Sequence, residues 1–105
     1  MKVLFDKDYL RLLYENGDSG DKKHRFQPDI VKRYIRTIDI LESVEKAEEL
    51  YIFHALNYEV LVGDMRGLES VRIGHKYRLI FKTSIHKNDM TITICNILDL
   101  TNHYK

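Results

Sequence analysis

Residues 71–81 read VRIGHKYRLIF, two apolar arms separated by the residues Gly74, His75 and Lys76. A glycine-bearing triplet between β-prone runs is typical of a hairpin with a three-residue loop. Pairing across such a loop is symmetric about His75, so Arg72 faces Arg78. Because side chains alternate across a strand, the apolar residues of both arms share the other face. The stretch therefore predicts a hairpin with one core face and one face that carries two opposed arginines.

Two opposed arginines need an explanation, because like charges directly across from each other destabilise a sheet. An anion bound between them would remove the repulsion, and the guanidinium fork is well suited to phosphate. Alternatively, both side chains extend into water or pair with Glu69, Asp99 or the C-terminal carboxylate. A two-residue turn would shift the register and remove the juxtaposition altogether.

Outward from this hairpin, the sequence after residue 50 continues as short β-prone runs divided by polar turns. The runs read YEVLVG, ESVRIG, YRLIFKTS and MTITICNILDL, and the turns between them read GDMRG, GHK and HKND. Strands joined by tight turns predict an antiparallel sheet.

The first half of the chain has helical spacing instead. KVLF at residues 2–5 is a short strand candidate, and the following DKDYLRLLYEN predicts a helix that ends at Gly17. A second amphipathic helix is predicted over residues 28–45, with Pro28 in its first turn, and a helical turn at KAEEL follows. Two helices before a run of strands predict an α+β fold, with both helices on one sheet face, in a single domain spanning residues 1–105.

Composition sets the broad class of protein. Hydrophobic residues make up 44% and charged residues 31% of the chain, which is the balance of a soluble globular domain. No apolar run approaches the roughly 20 residues that cross a bilayer, and MKVLFDKDYL lacks the pattern of a signal peptide. Cys95 is the only cysteine and lies in an apolar run, which predicts a buried packing residue in a reducing cytoplasm. We therefore expect a cytoplasmic protein without membrane contact.

The net charge of +1 conceals a segregated charge distribution. Lys and Arg dominate residues 21–36 and 64–87, whereas Asp and Glu dominate residues 39–50. A chain arranged in this way can present a basic face to an anionic partner, although three solvated surfaces would give the same pattern.

The C-terminal tail adds groups that can transfer protons. Asn102, His103 and Tyr104 follow the last predicted strand, and His and Tyr can both act as general acids or bases. Beside two arginines they could serve RNA cleavage, in which the 2′-OH attacks the adjacent phosphate. This chemistry requires no metal because the nucleophile lies within the substrate. The simpler alternative for such an ending is a frayed tail.

The remaining candidate positions give weaker signals. His24 and His86 lie in polar loops, His75 lies at a turn tip, and His54, in YIFHAL, is expected to have a packing role. No His, Cys, Asp and Glu spacing predicts a metal site, and no phosphate-binding glycine loop is present in the sequence. We therefore expect neither a metal nor a cofactor.

The segment GDMRGLESVRIGHKYRLIF at residues 63–81, followed by a strand and a terminal His-Tyr element, resembles the HigB-like toxins of the RelE/ParE superfamily. The segment FDKDYLRLLYENG at residues 5–17 is similar to theirs as well. The resemblance implies a RelE-like fold, with two N-terminal helices on a small antiparallel sheet. It also implies a toxin of a type II toxin–antitoxin system that cleaves messenger RNA at the ribosome. The implied partner is a HigA-like helix-turn-helix antitoxin. The toxin would contact operator DNA only through this antitoxin.

The resemblance also implies roles for individual residues. Arg72 and Arg78 would bind and polarise the scissile phosphate, and His103 and Tyr104 would transfer protons. Four further residues are candidates for binding or orienting the substrate: Arg66, Lys76, Asp99 and Asn102. The chain departs from the family pattern at Val62, where a lysine is common, and in its ending, where LTNHYK follows Asp99.

Two other functions stay open at this point. The chain could be a superfamily member that has lost catalysis and acts only as the partner of its repressor, which the altered ending would suit. It could also be a non-enzymatic RNA-binding module, which the separate basic segments would suit.

Overall fold

The structure is a computed structural model that describes residues 1–102. Its two helices are α1 (Asp8–Asn16) and α2 (Pro28–Ser43). Its strands are β1 (Lys2–Phe5), β2 (Glu59–Val60), β3 (Glu69–Ile73), β4 (Tyr77–Lys87) and β5 (Thr91–Thr101). Short 3₁₀ turns cover Lys22–His24, Ala47–Ile52, His54–Leu56 and Gly63–Met65. The predicted α+β class is confirmed, as are the strand at residues 2–5 and the two helices before the run of strands β2 to β5.

The sheet is mixed rather than purely antiparallel. Its strand order is β1-β5-β4-β3-β2, in which β1 runs parallel to β5 and every other neighbouring pair is antiparallel. Val3 lies opposite Cys95, so the first and last strands of the chain are neighbours. The strand at residues 2–5 is predicted, but its partner is not, because a run of three apolar residues indicates a strand without indicating the neighbouring strand with which it pairs.

Local signals mark the first turns of both helices and the end of α1. Asp8 lies in the first turn of α1, and Gly17 ends that helix at φ 72°, donating its N–H to the Leu13 carbonyl. Pro28 opens α2, which ends at Ser43, two residues earlier than predicted. The Tyr34 hydroxyl donates to the Leu10 carbonyl over 2.7 Å and so joins the buried faces of the two helices.

The core lies between these helices and one face of the hairpin. Val71, Ile73, Leu79 and Phe81 are at most 1% exposed and pack in one cluster with the buried faces of both helices. Cys95 belongs to the same cluster and is fully buried, and burial raises the pKa of its thiol to about 12. The predicted packing role of Cys95 is therefore confirmed, and the thiol stays protonated near neutral pH.

Gly74 permits the hairpin turn to approach α2. Its φ is +64°, a backbone conformation that residues other than glycine rarely adopt. A Cβ atom at this position would lie 3.2 Å from Ile30 Cδ1 and 3.9 Å from Arg33 Cδ. Because glycine leaves that space open, the first half of α2 packs directly beside the β3–β4 turn.

The β4–β5 hairpin continues beyond the rest of the sheet as a two-stranded arm. Pairing with β3 ends at Phe81 and pairing with β1 begins at Ile94, so in the described chain residues 85–92 pair only with each other. Ile85, Met90 and Ile92 are exposed along this arm. Neither helix within residues 1–102 has the length and apolar character that crossing a membrane requires.

A buried carboxylate joins three parts of the fold on the core side of the sheet. Glu69 is 7% exposed and accepts hydrogen bonds from the Tyr58 hydroxyl (2.5 Å), the Thr83 hydroxyl (2.6 Å) and the Thr83 backbone N–H (3.0 Å). Burial and the hydrogen bond to Glu69 raise the pKa of Tyr58 above its usual value, so its phenol remains a donor. Glu69 thereby ties the segment before β2 to the strands β3 and β4.

We expect Glu69→Gln to lower the free energy of unfolding by about 1–3 kcal/mol, because the amide accepts at only one end and leaves a buried donor without an acceptor. Urea denaturation of the purified chain measures the change. Glu48→Gln is the matched control, since Glu48 is exposed and should tolerate the same substitution. Equal unfolding midpoints for Glu69→Gln and the parent would contradict the assigned role.

Candidate nucleic-acid interface

The predicted hairpin register is confirmed. Ile73 lies opposite Tyr77 and Arg72 lies opposite Arg78, which leaves Gly74, His75 and Lys76 as the three-residue loop. Val71 and Leu79 form the next pair, and both are buried in the core. Arg72 and Arg78 are therefore direct cross-strand neighbours, as the sequence predicted.

Arg78 is neutralised inside the protein. It is 9% exposed, one of its terminal nitrogens lies 3.1 Å from Glu59 Oε2, and the other donates to the Asn57 carbonyl over 3.3 Å. The sequence suggested three carboxylate partners, Glu69, Asp99 and the C-terminal carboxylate, of which the last lies outside the described residues. Among residues 1–102 the structure assigns Glu59, and neither Glu69 nor Asp99. The reason is the pairing of the edge strand β2 with β3, which places Glu59 opposite Ser70 and close to the arginine pair.

Arg72 has a different environment. Its side chain is exposed and lines a cavity of about 480 Å³ together with Arg33 and Arg36 of α2, His54 and His75. We refer to this space, which Ile40, Phe53 and Leu56 also line, as the arginine cavity. Among residues 1–102, no carboxylate oxygen lies within 4.0 Å of the guanidinium nitrogens of Arg72. The two opposed arginines therefore differ, one fixed by a carboxylate and one facing solvent.

A second cavity, of about 520 Å³, lies on the other side of the β3–β4 turn and is called the turn cavity here. Lys76 and Asn102 both line it, together with Arg25 and Tyr77. It shares Arg33, Gly74 and His75 with the arginine cavity, so the two cavities adjoin at the turn. Two of the predicted substrate-binding residues, Lys76 and Asn102, are thus brought together.

Asp99 and Arg66 line neither of these two cavities. Asp99 accepts a hydrogen bond from the Tyr9 hydroxyl over 2.6 Å and lies 3.9 Å from Lys7 Nζ, so it is held at the start of α1. Burial and this hydrogen bond raise the pKa of Tyr9 above its usual value. The Tyr9 ring also stacks on His24, with 3.7 Å between ring centroids. Arg66 follows the 3₁₀ turn Gly63–Met65 and is exposed.

His103 and Tyr104, the predicted proton-transfer residues, lie outside the residues that the structure describes. Asn102, which precedes them, is exposed. Their catalytic roles therefore stay predictions.

Three residues of the arginine cavity were missed by sequence reasoning. The helical pattern over residues 28–45 predicts no role for Arg33 or Arg36, and the apolar run around His54 predicts a packing role. The structure shows His54 exposed, because the apolar residues around it belong to short 3₁₀ turns with an open side. The i, i+3 spacing of Arg33 and Arg36 was the available signal, but their proximity to Arg72 depends on the packing of α2 against the turn.

Comparisons with known proteins agree with this architecture. Residues 3–99 match the HigB-like toxin family, described as the RelE-like toxin of the type II toxin–antitoxin system HigB. The chain is 31% identical over 83 residues to Toxin HigB-1 of Vibrio cholerae serotype O1, which covers 78% of this chain and 83% of that protein.

Two solved structures share the fold at low sequence identity. The YoeB/ParE toxin from Agrobacterium tumefaciens superposes with a TM-score of 0.56 at 18% identity, covering 99% of this chain and 100% of that one. A chain of the YoeB-YefM complex from Staphylococcus aureus superposes with a TM-score of 0.54 at 19% identity, covering 99% and 98%. The match over residues 3–99 and the identity to a HigB toxin together show that this chain belongs to the HigB-like toxins, the RelE-like toxins of type II toxin–antitoxin systems.

Proposed function

We propose that this toxin is a metal-independent endoribonuclease that cleaves messenger RNA on the translating ribosome. The observation that carries the proposal is the juxtaposition of Arg72 and Arg78 at the base of a tight turn. One guanidinium is held in place by Glu59 and the other faces solvent, beside a depression lined by further basic residues. Such a surface suits a ribose-phosphate chain.

In the proposed reaction the 2′-OH of one ribose attacks the adjacent phosphorus, and the 5′-oxygen of the next nucleotide leaves. A general base removes the proton of the 2′-OH, and a general acid delivers a proton to the leaving oxygen. Arg72 and Arg78 stabilise the negative charge that develops on the phosphoryl oxygens. The Glu59 carboxylate fixes the direction of the Arg78 guanidinium, so little reorganisation is needed when that charge appears.

His103 and Tyr104 are the proposed acid and base. Support comes from their position in the sequence directly after Asn102, which lines the turn cavity with Lys76. Lys76 and Asn102 are proposed to bind the substrate there, and Arg66 to contact the RNA backbone outside both cavities. Asp99 acts through its hydrogen bond with Tyr9, which fixes the end of β5 from which the tail departs.

The proposed partner is a HigA-like helix-turn-helix antitoxin in the cytoplasm. A Staphylococcus aureus structure that shares the fold is a YoeB-YefM complex, which supports a protein partner for this fold. Operator DNA would be bound by the antitoxin in the complex, and the ribosome and its message by the toxin after release.

One observation favours a second candidate function, in which the chain has lost catalysis and acts only as the binding partner of its antitoxin. Because Glu59 already neutralises Arg78, that arginine has less charge to offer a phosphate than an unpaired one. Primer extension on translated messages after induction separates the two candidates, since new 5′ ends within coding regions require cleavage.

Arg72→Ala is expected to abolish growth inhibition. Loss of one charge-stabilising donor typically lowers a rate by about 10²–10³-fold, and exposure of Arg72 predicts that the variant folds like the parent. Plating after induction measures the effect, with circular dichroism as the check on folding. Lys82→Ala, which removes an exposed positive charge elsewhere on β4, is the control and should stay toxic. Parent-level toxicity of a well-expressed Arg72→Ala chain would refute the role.

His103→Ala and Tyr104→Phe are expected to slow cleavage of ribosome-bound message by about 10²–10⁴-fold each if they act as acid and base. Single-turnover cleavage of a labelled message on purified ribosomes provides the rate. Binding to the ribosome, followed by cosedimentation, should be unchanged. If both variants cleave at the parent rate, proton transfer belongs to other groups.

A further inference from the structure

The arginine cavity lies beside the proposed scissile site rather than within it. Within residues 1–102, Arg72 is the residue that belongs to both, since it lines the cavity and pairs across the strand with Arg78. His75 lines the cavity from the same hairpin, and the other basic residues come from elsewhere in the chain, namely Arg33 and Arg36 of α2 and His54 from a 3₁₀ turn. Three separate segments thus contribute cationic or titratable groups to one space.

Within residues 1–102, no carboxylate balances the arginine charges of this cavity. In the described part of the chain, none of Arg33, Arg36 and Arg72 has a carboxylate oxygen within 4.0 Å, and no Asp or Glu lines the cavity. Arg33 and Arg36 are i, i+3 neighbours, a spacing at which like charges destabilise a helix. Arg11 and Arg78, in contrast, each have a carboxylate partner. A bound polyanion would compensate the three unpaired guanidinium groups.

The cavity also has an apolar side that a phosphate alone would not use. Phe53, Ala55, Leu56 and Ile40 line it, and Phe53 keeps 37% of its surface exposed. Exposed Tyr51 and Ile52 directly precede Phe53 in the same stretch. An aromatic face next to a positively charged groove is the combination that single-stranded nucleic-acid binders use for base and backbone. A space of about 480 Å³ accommodates one nucleotide.

We propose that the arginine cavity binds one nucleotide of single-stranded messenger RNA next to the scissile phosphate, with Arg33 and Arg36 on its phosphate and Phe53 against its base. The assignment rests on the proposed function for the position of the scissile site. Since the base enters a shaped cavity, its lining selects which nucleotide is accepted beside the cleavage point.

The first test measures binding without cleavage. Fluorescence anisotropy follows a single-stranded 2′-O-methyl RNA, which lacks the nucleophile, as it binds the full-length chain over a series of KCl concentrations. Arg33→Ala/Arg36→Ala should weaken binding at least tenfold at low salt. It should also reduce the slope of log K against log salt by about 0.7, since both arginines contact one phosphate and each phosphate neutralised on a single strand contributes about 0.7.

Lys22→Ala/Lys32→Ala is the matched control. It removes the same charge from exposed positions of which neither lines either cavity, and Lys32 lies on the same helix as the two arginines. Its salt slope should equal that of the parent.

Phe53→Leu tests the base contact independently of charge. It should weaken binding at least about fivefold, the lower end of what a stacked base contributes, and leave the salt slope unchanged. An RNA with one abasic position in register with the cavity should bind the parent and Phe53→Leu equally. This pattern would distinguish base contact from a general loss of folding.

The proposal is overturned if the arginine double variant matches the lysine control in affinity and slope, or if the parent shows no salt-dependent binding to free RNA. It is also overturned if the arginine effect appears only on ribosomes, because the ligand is then structured ribosomal RNA rather than the message. These outcomes do not decide whether the chain is an endonuclease. A parent that binds through Arg33 and Arg36 but generates no cleavage would retain the cavity assignment and lose the catalytic one.

Discussion

The register of the β3–β4 hairpin determines the position of almost every group with a functional role. With three residues in the loop, Val71, Ile73, Leu79 and Phe81 enter the core while Arg72 and Arg78 share the opposite face. A shift by one residue would exchange these sets, burying charge and exposing the core. The loop length is in turn supported by Gly74, whose positive φ and missing Cβ permit the turn to lie against α2.

The two arginines of the hairpin illustrate two solutions to the same electrostatic problem. Arg78, nearly buried, requires a carboxylate, and the edge strand β2 supplies Glu59. Arg72 remains in contact with water, where a high dielectric screens the charge of its neighbours. Consequently the protein holds one cation rigidly and leaves another available to a ligand. Glu69 carries the opposite charge on the core side and is satisfied entirely by neutral donors.

Much of this architecture follows from local patterns. Periodicity and turn residues gave both helices, the hairpin, its register and the burial of Cys95, and the motif at residues 63–81 indicated the family. The parallel pairing of β1 with β5, the partnership of Glu59 with Arg78, and the approach of Arg33 and Arg36 to Arg72 were not predicted. Each of these contacts joins segments far apart in the chain, and a single sequence carries no signal for such pairs. The exposure of His54 was missed for a related reason, since an apolar neighbourhood in sequence became the open side of a 3₁₀ turn.

The protruding arm of β4 and β5 has a consequence for the behaviour of the chain in isolation. Over residues 85–92 both strands leave one edge of backbone N–H and C=O groups without a neighbouring strand in the described chain, and Ile85, Met90 and Ile92 lie exposed along it. Such an edge is a template for intermolecular strand addition, which natural proteins limit with charged residues. His86, Lys87 and Asp89 are the polar interruptions here. Strand addition at this edge is therefore the route to self-association that the fold leaves open.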